Sequence, residues 1–350
     1  MTLDVLAVVL MLFLLVTAWG VLRLRDLFSA AMLLGMFSLV SAALFTIFDA
    51  VDVAFTEASV GAGISTILML ATLGLTTERE TSCPAWRPVP LLAVLVTGGL
   101  LIYGTLDMPS FGDPQSPVHT YLGARYLEEE PKEIGVPNVV TAVLASYRGY
   151  DTLGEATVVF AAAIGVLLLL SDRREERDRS SARALKDHLA RDDARHAPAM
   201  KNRILRVSAR PMIPSILLFG LYVQFHGDYG PGGGFQAGVI MAAGVVLFAL
   251  VFGLERTRRT FSANLLEAMI ALGVLLYGSV GVWSMLAGGN FLDYDVLLHD
   301  PKHGQHLGIV LVELGVGITV TAVMIALFLL FAARGLDDAK GDLHLENGAS

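Results

Sequence analysis

The sequence predicts an all-α, polytopic integral membrane protein of about nine transmembrane helices, and two features of composition carry that prediction. Hydrophobic residues make up 54% of the 350 and charged residues only 17%. The apolar residues also fall in blocks close to the roughly 20 residues that span hydrocarbon, a pattern a soluble core does not need. A third feature, the distribution of positive charge, sets the orientation.

The blocks in order are 3–22, 27–48, 53–76, 88–107, 151–171, 211–227, 234–254, 264–287 and 307–333. No basic residue precedes the first, and Arg23 and Arg25 follow it, so it reads as a retained helix rather than a cleavable signal peptide. The third carries two acids, Asp52 and Glu57, and two glycines, Gly61 and Gly63. Segment 108–136 after the fourth, with Pro109, Pro114, Pro117 and Pro131, is expected to be irregular and packed on a neighbour. Between the fifth and sixth lies a charged stretch with the composition of a solvated linker or surface helix. The chain thus divides into a three-helix unit (1–80), a two-helix unit (81–171), a charged linker (172–203), a four-helix unit (204–335) and a polar tail (336–350).

Lys and Arg near helix ends favour the cytoplasm. With nine spans and the N-terminus outside, 21 of the 25 Lys and Arg residues fall on the cytoplasmic side, including Arg256, Arg258, Arg259 and Arg334. Only Arg125, Lys132 and Lys302 lie opposite, with Arg148 at a span edge. This puts the N-terminus outside, the C-terminus in the cytoplasm and the protein in the inner (cytoplasmic) membrane of the cell. The net charge of −8 comes partly from outer acids such as Asp107, Glu128 and Glu130, and implies no nucleic-acid partner. One cysteine, Cys83, excludes an intrachain disulfide and a cysteine-held cluster within this chain, so no cofactor is expected.

Charge inside a span is expensive and usually kept for ion or proton work. Asp52 and Glu57 stand five residues apart, roughly 140° around an ideal helix, so they do not form one paired site. Asp52 reads as an interfacial cap. Glu57 lies about a turn deeper, with Thr56 and Ser59 as hydrogen-bonding neighbours, and a π-bulge near Gly61 and Gly63 would shift its register. The plainer alternative places Glu57 near the headgroups, paired with a cation of another chain.

Before the fifth span, Arg148 and Asp151 at i,i+3 can pair, and Asp151 and Glu155 at i,i+4 share a face, which makes a cation or proton station. The same residues also suit a helix start, with Asp151 or Thr152 as cap. Between the sixth and seventh spans, His226-Gly-Asp-Tyr-Gly-Pro-Gly-Gly-Gly cannot continue a helix. Pro231, Gly232, Gly233 and Gly234 therefore form either a tight reversal or a hydrated backbone site beside His226, and no lysine-bearing phosphate loop follows. Glu267 near a cytoplasmic end can snorkel or pair with Arg258 or Arg259. Glu313 is deeper. His299, His303 and His306 resemble a metal box only weakly and equally suit a pH sensor, so no metal site is assigned.

Two long motifs bear a family resemblance. The runs Asp-Val-Ala-Phe-Thr-Glu-Ala-Ser-Val-Gly-Ala-Gly from Asp52 and Asn-Val-Val-Thr-Ala-Val-Leu-Ala-Ser-Tyr-Arg-Gly-Tyr-Asp-Thr-Leu-Gly-Glu from Asn138 resemble the C-terminal part of the large A-type component of Mrp-type cation/proton antiporters. They equally resemble the small D-type and E-type components of energy-converting hydrogenases, and the first three spans resemble the J component of respiratory complex I. Arg210 to Gly227 and Pro-Gly-Gly-Gly-Phe-Gln-Ala-Gly from Pro231 resemble the B-type (MnhB) component of the antiporters. The family often has His-Gly-His where this chain has His226-Gly-Asp228, which puts a role for the second imidazole in doubt.

The resemblance implies a subunit of a multisubunit Na+/H+ antiporter driven by the proton gradient, not an enzyme, with monovalent cations, protons and lipid as its small partners. Protein partners would be the large A-type and D-type antiporter components, which pump ions, and the small C-, E-, F- and G-type ones. Glu57, Asp52, Arg148, Asp151, Glu155 and Glu313 are the expected path residues, with His226 and Glu267 secondary. A membrane arm of a redox-driven complex and a purely structural scaffold are the alternatives.

Overall fold

A computed structural model describes residues 2–74, 76, 79–80, 88–110, 112–171 and 203–347. Cys83 and all but the last residue of the charged linker lie outside the described residues.

Nine helices among the described residues are long and apolar enough to cross a membrane. The first three are α1 (Thr2–Arg23), α2 (Leu27–Ile47) and α3 (Val51–Leu73). Asp26 caps α2 by accepting the Ser29 N–H at 2.8 Å, and that bond holds its carboxyl below the ordinary range. Asp26 also bridges to Arg79 beyond α3, so the basic ends of α1 and α3 meet at one end of the bundle. The middle of α3, Glu57–Ser65, is π-helical. This is the register change the glycines suggest, extended over nine residues.

Helix α4 (Pro88–Thr105) stands apart with no buried residue. Segment 108–136 is more ordered than its prolines suggest, since a π-helical turn, Val118–Gly123, leads into α5 (Ala124–Glu133). Pro131 falls in the last turn of α5, close to where the helix ends, and the buried Glu130 carboxylate accepts the Val136 N–H at 2.9 Å. A helical turn, Val139–Thr141, and a π-helical stretch, Ala142–Tyr147, then deliver the chain to α6 (Gly149–Ser171).

The back half has α7 (Arg203–His226), α8 (Gly234–Phe252), the short α9 (Leu254–Thr260), α10 (Ala263–Leu286) and α11 (Pro301–Asn347). The sequence reading starts the first of these at residue 211, but α7 begins at Arg203 and runs through Pro211 and Pro214. Within this helix the Ser215 hydroxyl donates back to the Pro211 carbonyl at 2.8 Å. Helix α11 starts earlier than expected because Pro301 is a favourable first helical residue, and it continues through most of the tail.

Lipid tails give helices no hydrophobic reason to associate, so close backbone packing must hold them together. That packing is concentrated on α8, α10 and α11. A methyl at Gly234 would overlap the Glu313 carbonyl oxygen, and one at Gly273 would overlap the Gly315 carbonyl and the Thr319 hydroxyl. Around these contacts lies the core of Val239, Val246, Ile270, Tyr277, Ile309 and Val312, into which Ile64 of α3 and Ala142 and Ala145 also pack.

Candidate functional site

The glycine loop is built from both halves of the chain. Four glycines and Pro231 end α7, and Gly233 adopts φ 112°, a left-handed conformation that suits glycine, just before α8 begins. The loop's carbonyls are satisfied from the front half. Asn138 Nδ2 donates to the Gly227 and Gly230 carbonyls at 3.1 and 3.0 Å, and the buried Thr141 hydroxyl donates to Gly227 at 2.7 Å. On the other side the Gly233 N–H returns to the Val223 carbonyl at 3.1 Å. The reversal is thus tight and clasped, which favours the plainer expectation for this loop.

Against it lies a cavity of about 310 Å³. Asp52 and Thr56 of α3, Thr141, Thr152 and Glu155 from the segment around α6, Gly232 to Gln236, and Glu313 of α11 supply its polar walls. Leu144, Phe235, Val312 and Val316 are among its apolar ones. Asp52 caps nothing in its own helix, where Ala50 holds the cap position; its carboxylate accepts the Gly232 N–H at 3.4 Å. Gln236 Nε2 donates to Thr56 at 2.8 Å, a second link between α3 and α8. Glu313 places its two carboxylate oxygens against the α-carbons of Gly227 and Gly233, where side chains would not fit.

Three of the expected acids therefore converge, and three expected residues lie elsewhere. Glu57 faces α2, with its carboxylate and the Ser38 hydroxyl meeting at the α-carbon of Gly61, where an added methyl carbon would lie 2.7 Å from each. Glu57 thus lies apart from the cavity that Asp52 lines. Arg148 and Asp151 pair at 2.6 Å, but both are exposed and neither lines the cavity. The Thr152 hydroxyl donates back to the Leu144 carbonyl at 2.7 Å rather than capping α6.

His226 stacks on Tyr222, with ring centres 4.8 Å apart, outside the cavity lining. Glu267 is exposed, and Arg259 pairs with Glu255 instead of with it. The three outer histidines separate: His303 pairs with Asp300 at 2.8 Å and His306 with Asp228 at 3.0 Å.

Sequence reasoning missed the residues that hold the front wall. The Tyr277 hydroxyl donates to the Gly149 carbonyl at 2.6 Å and the Tyr294 hydroxyl to the Ala145 carbonyl at 3.0 Å, both buried. Ser146 donates to Gln305, which donates in turn to Asp295. Nearby, Tyr147 donates to Glu133, and burial, with Glu133 as acceptor, pushes that phenol far above its usual range. These partners are 10 to 159 residues apart, so no local motif announces them.

Residues 204–326 match the family described as a domain related to the MnhB subunit of the Na+/H+ antiporter. Residues 12–78 and 92–187 match the MBH families MbhD and MbhE. A putative antiporter subunit mnhB2 of Staphylococcus haemolyticus is 30% identical over 129 residues, which is 36% of this chain and 91% of that protein. A probable K(+)/H(+) antiporter protein of Rhizobium meliloti, named as an A/B subunit, is 28% identical over 282 residues, 75% of this chain and 27% of the relative. In the solved structure of the Mrp complex from Dietzia sp. DQ12-45-1b, a chain with 26% identity superposes at a TM-score of 0.72, covering 93% of this chain and 34% of that one. The chain thus spans nearly all of the staphylococcal protein but about a third or less of the other two.

Proposed function

The chain belongs to the family of multisubunit cation/proton antiporter subunits related to MnhB, and on that premise we propose that it is an integral subunit of such a complex that supplies part of its ion or proton path. Monovalent cation leaves the cytoplasm as protons enter, with the large and small antiporter subunits as partners and the N-terminus outside. The chain performs no catalysis of its own. It joins the B-type back half to a front half like the tail of the A-type component, as the name of the Rhizobium relative also joins A and B.

The convergence of Asp52, Glu155 and Glu313, from three separate spans, on one cavity carries this reading. A carboxylate within a membrane span is costly, and a scaffold has no use for three that line one cavity. Glu57 forms a second station on the far side of α3, and the exposed Arg148–Asp151 pair sits at the outer rim. A complex purified with Glu313→Gln and reconstituted in vesicles is expected to exchange at least about tenfold more slowly, a barrier increase of about 1.4 kcal/mol. Normal assembly with unimpaired exchange would remove the cavity from the path.

The matches to MbhD and MbhE favour a second reading, a membrane arm driven by a redox partner. The subunits that co-purify decide between them. Ion-pumping subunits alone support antiport, and cluster-binding subunits support the redox arm.

A further inference from the structure

Gly232 to Gly234 line the loop side of the cavity, Gly227 packs against Gly233 behind them, and next to Gly227 lies a pair of side chains that the path above does not use. Asp228 is buried, 5% exposed, yet its Oδ2 meets Nδ1 of His306, whose own side chain is half in solvent. The other oxygen, Oδ1, is buried with no hydrogen-bond partner among the described residues. A buried carboxylate with one oxygen on a surface imidazole and one left over spans from solvent to interior. Directly behind it, Glu313 Oε2 packs on the α-carbon of Gly227.

We propose that His306 and Asp228 form the proton port of the cavity, taking protons from the outer solution and delivering them to Glu313. The inference rests on the cavity being part of the path. His306 binds a proton from water on its solvent-facing Nε2 while its Nδ1 proton passes to Asp228 Oδ2. The imidazole ends neutral in its other tautomer and the carboxylate ends as the acid. Asp228 then releases the proton to water on the Glu313 side, and the imidazole resets by exchange with solvent.

The surroundings suit the task. Burial pushes the Asp228 carboxyl above the usual carboxylate range, and His306 pulls it partly back, so the group is not locked as an anion. The other ionisable groups near this end are otherwise engaged: Lys302 donates to the Pro131 carbonyl, His303 to Asp300, and His226 stacks on Tyr222. The backbone is fixed as well, since the Asn138 N–H donates to the Asp228 carbonyl at 3.0 Å. Helix α11 thus brings an imidazole to the carboxylate that follows Gly227.

The test uses the whole complex in vesicles, with exchange followed while the outer pH is varied from about 6 to about 8.5, on either side of an imidazole's ordinary range. His306→Ala is expected to slow exchange at least tenfold at the alkaline end, where protons are scarce, and less than twofold at the acid end. Millimolar imidazole added outside should restore most of the loss. Asp228→Asn should show the same pH-weighted loss without rescue.

Equal loss at every pH, absence of rescue or unchanged exchange in both variants would overturn the port. Glu313→Gln in parallel separates the two claims. If it alone impairs exchange, the port fails and the cavity stands; if it impairs nothing, the cavity fails too.

Discussion

The two halves of this chain solve the problem of packing in lipid differently. In the back half, 56% of the apolar window of α8, 50% of that of α11 and 33% of that of α10 are buried within the chain, but only 11% of that of α7. In the front half the figures are 6% for α1, 28% for α2, 11% for α3 and α6 and 0% for α4. Backbones in the back half approach to glycine distance, and such contacts replace the hydrophobic drive that lipid removes. The front half has fewer of them and leaves its apolar faces to lipid or to other chains. The chain is therefore a tightly packed group of α8, α10 and α11 joined to helices whose apolar faces the described residues leave largely uncovered. The polar cavity lies on the seam, where α3, α6 and the segment before α6 meet α8 and α11.

Breaking the tightly packed group should have the largest effect. Gly234→Leu would force α8 off α11 at the Glu313 carbonyl, an overpacking cost of about 3 kcal/mol or more, and is expected to abolish recovery of the assembled complex. A leucine at Gly98 or Gly99 of α4, where an added methyl meets nothing among the described residues, should leave this subunit's own fold intact. Size-exclusion profiles of the detergent-extracted proteins distinguish the two.

Cutting the seam comes next. Asn138→Ala removes the clasp on the Gly227 and Gly230 carbonyls and should cost about 1–3 kcal/mol, read as earlier thermal loss of the complex together with slower exchange. Within α3, Gly61→Ala should displace the Glu57 carboxylate and slow exchange several-fold, whereas Gly63→Ala, which meets only the Ala58 carbonyl at an ordinary 3.5 Å, should change it less than twofold. Equal effects at both glycines would show that helix flexibility, not the placement of Glu57, is what matters. The smallest effect belongs to Arg148→Gln. Its partner is exposed, such pairs contribute about 0–1 kcal/mol, and exchange should shift by less than threefold.

Much of this was legible in the sequence because membrane spans are set by length and composition, which need no tertiary knowledge. All nine expected spans have their helices among the described residues, and the register change in α3 was suggested by Gly61 and Gly63. The ends were less legible. Pro211 looks like a start, yet α7 runs through it and extends back to Arg203. The site was legible residue by residue and not as a set. Periodicity says that Asp52 and Glu57 face apart, but nothing local says that Asp52 faces Gly232, 180 residues away. Asp228 looked like the loss of a histidine, because its partner His306 lies across a helix pair.

The central claim is that acids from both halves share one chamber. It is tested most directly by a double-mutant cycle on exchange in vesicles, with Glu155→Gln, Glu313→Gln and the pair. Residues acting on one proton or cation in one cavity are strongly non-additive, so the double variant should be no slower than the slower single within about twofold. Losses that multiply would place Glu155 and Glu313 in separate steps and contradict the shared chamber.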